Sequence, residues 1–140
     1  METILGTIVG LAAVIWGINF WGTNFLSKKR FDSGRPVKSH LLRSREIVLN
    51  MDYNKVLEKS KSAILFFKLK LEKFDAAKGE LRALTGFDLR TFGEIIIISH
   101  KKVGEGVAVT IESMPAFPFV MLDYGRNQSN VDALYELIKN

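Results

Sequence analysis

The 140-residue chain has no cysteine, only two histidines and three prolines, and no charged residue between Thr3 and Ser27. Without cysteine there is no disulfide scaffold, no Cys-ligated metal and no iron–sulfur cluster, and the composition fits a reducing compartment. His40 and His100 are the only imidazoles, and neither has H-x-x-x-H spacing or grouped carboxylates around it, so no metal site is expected. His100 reads as a solvent-facing strand end. Ser99 and His100 are neighbours, and in one strand their side chains point to opposite faces, where they cannot act as nucleophile and base. A glycine-rich phosphate loop is also missing, since GEG at 104–106 has the simpler reading of a hairpin turn. The expectation is therefore a non-enzyme, with no catalytic residue, cofactor or metal.

The missing charge near the N-terminus is itself a signal. Ile4 to Phe25 is a run of 22 uncharged, mainly apolar residues, and as a helix at about 1.5 Å per residue it reaches roughly 33 Å, the thickness of a bilayer core. Glu2 precedes the run and SKKR follows it, the reverse of the charge order in a secretory signal. Residues 1–27 thus read as a retained single-pass anchor.

Leu26 to Arg45 carries seven Lys or Arg against one Asp. Positive flanks stay on the cytoplasmic side, which puts the N-terminus outside and the rest of the chain in the cytoplasm. The formal net charge of +5 comes from this tether, because residues 46–140 hold 13 basic and 13 acidic side chains. A nucleic-acid footprint would have to lie on that neutral remainder, so no nucleic acid is expected as a partner. Residues 28–44 read as a basic juxtamembrane linker whose Lys28, Lys29, Arg30, Arg35 and Lys38 meet anionic lipid headgroups. Within the anchor, Gly6, Gly10, Ala13 and Gly17 recur near one helical face, where small residues let a second helix approach closely. The partner there is a membrane protein or another copy of the chain.

Residues 45–140 alternate their hydrophobic period in a readable order. REIVLNM, residues 45–51, predicts a strand; Asn50 or Asp52 caps a helix from Tyr53 to about Phe67; FKLKLEKF switches to a period of two; DAAKG, residues 75–79, is a turn. ELRALTGF adds a strand. GEIIIISH and VAVTIES form a hairpin around KKVGEG, and VDALYELIKN closes as a helix of about nine residues. Four consecutive isoleucines at 95–98 indicate a strand covered on both faces, or one face turned to a partner or the membrane. The order implies an α+β fold: a curved, mainly antiparallel sheet of four to six strands packed by two helices, helix-grip-like, behind the single transmembrane helix.

One stretch resists this routine. In MPAFPFVMLDYGRNQSN, residues 114–130, Pro115 and Pro118 stop a strand, Phe117, Phe119, Met121 and Tyr124 offer apolar cover as a short edge strand, and Gly125 suits a left-handed turn. Ser129 with Asp132 makes an S-x-x-D helix cap. Asp123 and Arg126 either pair across the glycine or hold an anionic group. Asp123, Tyr124, Arg126 and Asn127 are accordingly the ligand or docking candidates.

The segments Leu84 to Ile98 and Ile111 to Val131 resemble a small group of bacterial membrane-anchored α+β proteins that share Ser-x-Pro, Asp-Tyr-Gly-basic-Asn and Gly-Glu patterns. The resemblance implies that Gly93, Glu94, Pro115, Asp123, Tyr124, Gly125, Arg126 and Asn127 belong together. It implies no activity. The functional expectation is a membrane-anchored subunit or adaptor whose helix packs with partner helices and whose domain docks on a membrane protein complex. The alternatives are a tethered small-ligand or lipid-binding module with a pocket between sheet and long helix, and an enzyme acting on an anionic membrane-associated substrate.

Overall fold

In a computed structural model of the protein, the described residues are 40–140 apart from 88, 90, 91 and 118. The Ile4 to Phe25 run, with Gly6, Gly10, Ala13 and Gly17, lies outside them, as do Lys28, Lys29, Arg30, Arg35 and Lys38. Among the described residues no helix is long and apolar enough to cross a membrane.

The elements run β1 (Arg43–Leu49), α1 (Tyr53–Phe66), β2 (Lys70–Asp75), β3 (Glu80–Leu84), β4 (Glu94–Val103), β5 (Gly106–Pro115) and α2 (Arg126–Lys139). The strands form one curved antiparallel sheet in the order β1-β5-β4-β3-β2. The α+β fold with a five-stranded sheet and two helices follows the sequence expectation.

α1 begins where Asp52 accepts hydrogen bonds from the N–H groups of Asn54 (2.9 Å) and Lys55 (3.4 Å), satisfying donors that have no partner within the helix. Its buried residues Val56, Leu57, Ser60, Ala63 and Ile64 recur at helical spacing and face the sheet. β2 departs from the expected alternation. Its register slips between Leu71 and Lys73, and as an edge strand it buries little on either face. The bulge adds a residue to one side of the ladder, so a strict period of two cannot persist through it.

Both faces of β4 are covered by the protein's own residues. Ile96 and Ile98 join Leu81, Val109 and Ile111 beneath the helices, against Ile64, Val131, Leu134 and Ile138. Ile95 and Ile97, on the other side of the pleat, pack with Met114, Leu41, Ala116, Phe117 and Val120. The second cover is therefore a loop and the start of the described chain. It answers the isoleucine pattern without a partner.

His100 corrects a sequence expectation. It is buried, with its Nδ1 2.8 Å from the Gly79 carbonyl and its Nε2 2.8 Å from Ser60 Oγ of α1. The solvent-facing reading failed because β4 extends to Val103 and runs beneath Tyr53, whose ring meets the imidazole edge-on. A carbonyl only accepts, so Nδ1 carries the proton, and the single proton of the Ser60 hydroxyl is shared between two acceptors, the Val56 carbonyl at 3.1 Å and Nε2. Burial lowers the imidazole pKa, against an opposing hydrogen bond to Gly79. Gly79 has φ +64°, and a Cβ there would collide with the Tyr53 hydroxyl and the His100 backbone.

Candidate functional site

Strand directions bring four chain segments to one end of the sheet, the α1–β2 junction among them because Lys70 pairs with Leu84. Arg43 pairs with Ser113, Glu94 with Pro115, and Leu84 with Ile95. The start of β1, the α1–β2 junction, the β3–β4 connection and the β5–α2 connection therefore lie together. The β4–β5 turn at Gly104 and Glu105 is at the far end of the same strands, about 30 Å away for ten residues of extended chain.

At this end Asp123 is the organiser. Its Oδ1 accepts from the Gly125 N–H (3.1 Å), and its Oδ2 accepts from the Asn127 N–H (3.2 Å) and from Asn127 Nδ2 (2.7 Å). Asn127 Oδ1 in turn accepts from Ser113 Oγ at 2.8 Å, and Asn130 Nδ2 donates to the same hydroxyl at 3.3 Å. Asn127 and Ser113 are fully buried. Burial pushes the Asp123 carboxyl up, but its hydrogen bonds from Asn127 and Gly125, with the charge of Arg43, prevail and hold it below its ordinary value.

This arrangement also moves the start of α2. The helix begins at Arg126, and Ser129 is an exposed residue of its first turn instead of its cap. Asp132, the other half of the expected S-x-x-D box, accepts from Arg45 at 2.9 Å and from Gln128 at 3.0 Å. The chain enters the helix through two left-handed residues, Tyr124 at φ +51° and Gly125 at φ +76°. Phe92 (φ +58°) and Gly93 (φ +84°) repeat that aromatic-glycine device just before β4. The expected short edge strand is absent among the described residues: Phe117 covers the sheet, whereas Phe119, Met121 and Tyr124 are exposed.

The Arg126 backbone N–H donates to the Asp123 carbonyl at 2.9 Å, but its side chain does not pair with the Asp123 carboxylate, whose oxygens accept from Gly125 and Asn127. Arg126 Nε lies 3.8 Å from Glu94 Oε1. Glu94 is only 1% exposed; its Oε2 accepts from Thr85 Oγ1 at 2.5 Å, and its own N–H donates to that hydroxyl at 2.8 Å. Oε1 accepts no hydrogen bond among the described residues. The Gly-Glu, Ser-x-Pro and Asp-Tyr-Gly-basic-Asn stretches thus meet in two adjoining networks, Asp123–Asn127–Ser113 and Thr85–Glu94–Arg126. Of the predicted candidates, Asp123 and Asn127 are internal. Tyr124 and Arg126 reach the surface.

Sequence reasoning missed Thr85, Ser113 and Asn130 as members. Ser113 falls on the same strand face as Val107, Val109 and Ile111, and a polar residue on that face was the available signal, because a buried hydroxyl needs a partner.

Two concavities adjoin the helices. A cavity of about 240 Å³ lies between the end of α1, the end of β3 and α2, with Lys68, Thr85, Arg126 and Asn130 among its lining residues. An open groove of about 500 Å³ lies between α1 and α2, bordered by Lys55, Glu58, Ala63, Phe66 and Leu137. Among the described residues no three His, Cys, Asp or Glu side chains are grouped to hold a metal.

The sequence matches no protein-family model and no curated protein. Among solved structures, it is similar to the crystal structure of Ara h 8.0201, with a TM-score of 0.38 and 7% identity over 71% of this chain and 98% of that one. It is likewise similar to TTHA0849 from Thermus thermophilus, with a TM-score of 0.37 and 11% identity over 70% of this chain and 94% of that one. Likeness at this level carries nothing about function.

Proposed function

We propose that the protein is a non-enzymatic, membrane-anchored subunit or adaptor. The Ile4 to Phe25 run anchors it, the Gly6, Gly10, Ala13 and Gly17 stripe packs against a partner helix, and the cytoplasmic domain docks on a membrane protein complex. The helix-grip arrangement serves this reading as a scaffold, with both helices on one side of the sheet.

The observation that carries the docking role is the corner where α1 leads into β2. Leu65 and Phe66 are each 71% exposed, Phe66 and Phe67 stack edge-to-face, and Leu71 and Phe74 of the edge strand are exposed beside them in the chain. Phe66 also borders the open groove between the helices. Exposed apolar groups gathered beside a groove mark interaction surfaces more often than isolated ones do. β2 is the edge strand of the described sheet, and a sheet edge offers backbone donors and acceptors to a partner.

Purification of the full chain in mild detergent, followed by mass determination, tests the reading. A stable complex, lost on Phe66→Glu or Gly10→Leu while the fold persists, is the expected result. A monomer without a copurifying protein under several gentle conditions overturns it.

The 240 Å³ cavity favours a second reading, a tethered ligand-binding module, because Thr85, Arg126 and Asn130 supply polar groups around it. Its volume is below the roughly 300–1,000 Å³ usual for small-molecule sites, which ranks it second. The enzymatic alternative through Asp123 and Arg126 ranks lowest, since both Asp123 oxygens are engaged by the start of α2.

A further inference from the structure

The β5–α2 loop presents a second apolar surface, distinct from the α1–β2 corner. From Met114 to Leu122 the chain has no charged residue. Ala116, Phe117 and Val120 are used as the cover over Ile95 and Ile97. Three others are exposed: Phe119 is 64%, Met121 77% and Leu122 66% exposed, and Leu89 of the neighbouring β3–β4 connection is 79% exposed. Phe119 rests on a packed base: Phe92 meets Phe87, Phe117 and Phe119 edge-to-face with ring centroids 5.8 to 6.1 Å apart, so the Phe119 ring is held in place by packed aromatic rings.

What lies opposite this surface is indicated by the chain itself. His40, the first described residue, places its Nε2 3.4 Å from the Met121 carbonyl oxygen, and Leu41 packs in the same cluster as Phe117 and Val120. The segment preceding His40 is the basic tether, and only 14 residues separate His40 from Phe25, where the 22-residue run ends. Fourteen residues span at most about 50 Å. The tether therefore joins the domain beside its most exposed apolar loop and not at the Gly104–Glu105 turn, where Lys101, Lys102 and Glu105 are exposed. Phe119 to Leu122 offers no strong side-chain donor or acceptor, which suits the acyl boundary of a bilayer.

We propose that Phe119, Met121 and Leu122, with Leu89 of the β3–β4 connection at the same end of the sheet, seat in the headgroup and acyl boundary of the lipid bilayer. The sheet then meets the membrane with its β5–α2 end, and the β4–β5 turn points away. This rests on the membrane-anchor reading of Ile4 to Phe25.

The absence of cysteine makes a direct test simple. Full-length Met121→Cys, Leu122→Cys and Glu105→Cys variants are nitroxide-labelled and reconstituted into vesicles of phosphatidylcholine with a minority of phosphatidylglycerol. Accessibility to oxygen and to a water-soluble nickel chelate then reports depth. The oxygen-to-nickel ratio is expected to be several-fold higher at 121 and 122 than at 105. Aqueous labels at 121 and 122 on a chain that resists alkaline carbonate extraction overturn the seating but leave the anchor. Labels shielded from both reagents indicate a protein surface, including a second copy, and also overturn it. Release of the chain by carbonate overturns the anchor and the seating together.

Discussion

The two faces of the sheet are closed by different kinds of cover. On one, Ile96 and Ile98 lie beneath α1 and α2, whose backbone hydrogen bonds are satisfied internally and whose apolar stripes supply Ile64, Val131, Leu134 and Ile138. On the other, Ile95 and Ile97 lie beneath Leu41, Ala116, Phe117 and Val120, from segments outside the strands and helices, held by bonds such as Ala116 N–H to Gly93 O at 3.0 Å and Val120 N–H to Phe117 O at 3.4 Å. A helix can dedicate one stripe to the core and the opposite stripe to water. A short apolar loop has fewer ways to sort its side chains, and here what it does not bury it exposes.

That difference predicts a graded response to truncation. Ile98→Ala, fully buried on the helix face, should destabilise by about 2–5 kcal/mol. Ile97→Ala on the loop face should fall in the lower part of that range because the loop can settle into the space. Urea unfolding followed by far-UV circular dichroism checks both, and equal losses would erase the contrast. Phe117→Ala, also on the loop face, should fall near the low end of the roughly 3–5 kcal/mol typical of a buried phenylalanine, and should loosen that face selectively, seen as faster amide exchange around Ala116 and Val120 than around Ile64.

Asp123→Ala should cost about 1–2 kcal/mol through loss of the helix cap, with Asp123→Asn retaining part of it. Because the Asp123 carboxyl titrates below its ordinary value of 3.8, its contribution is complete above that value and is lost as pH falls through the depressed folded pKa. In the Asn variant this part of acid unfolding should vanish.

A smaller effect belongs to the helix face. The His100 pKa is lowered from 6.5, so the unfolded chain takes up a proton first. Stability should be full above 6.5 and decline as pH falls through the folded pKa. His100→Gln should flatten the dependence in that window, whatever its effect at neutral pH; an unchanged slope would show that the ring is not the group responsible. Smallest of all, Phe119→Ser should change stability by no more than about 0.5 kcal/mol, because its ring is largely exposed. A large loss would mean that the loop tip is part of the core.

Local pattern foretold much of the architecture. The Asp52 cap, the α1 stripe, the Glu80–Leu84 strand and the hairpin around Gly104 follow from propensity, turn chemistry and period, all carried by neighbours in sequence. Other features were not legible because their cause is distant. The bulge in β2 depends on pairing with β3. His100 is buried because α1 crosses β4, and α2 starts early because Asp123 captures the Gly125 and Asn127 amides once two left-handed residues have turned the chain. The separation of Asp123 from Arg126 followed a competition among partners that no single segment contains.

For the described domain, sequence by itself determined which segments become strands and helices, through the spacing of apolar residues and the chemistry of caps and turns. It also determined that the isoleucine strand needs apolar cover on both faces. Only the tertiary structure decided what provides that cover, which residues Ser113, Glu94 and His100 meet, and which apolar side chains are left outside. The physical reason is that burial and hydrogen-bond satisfaction depend on segments brought together across the sheet, whereas helical and strand periods are set by the local backbone.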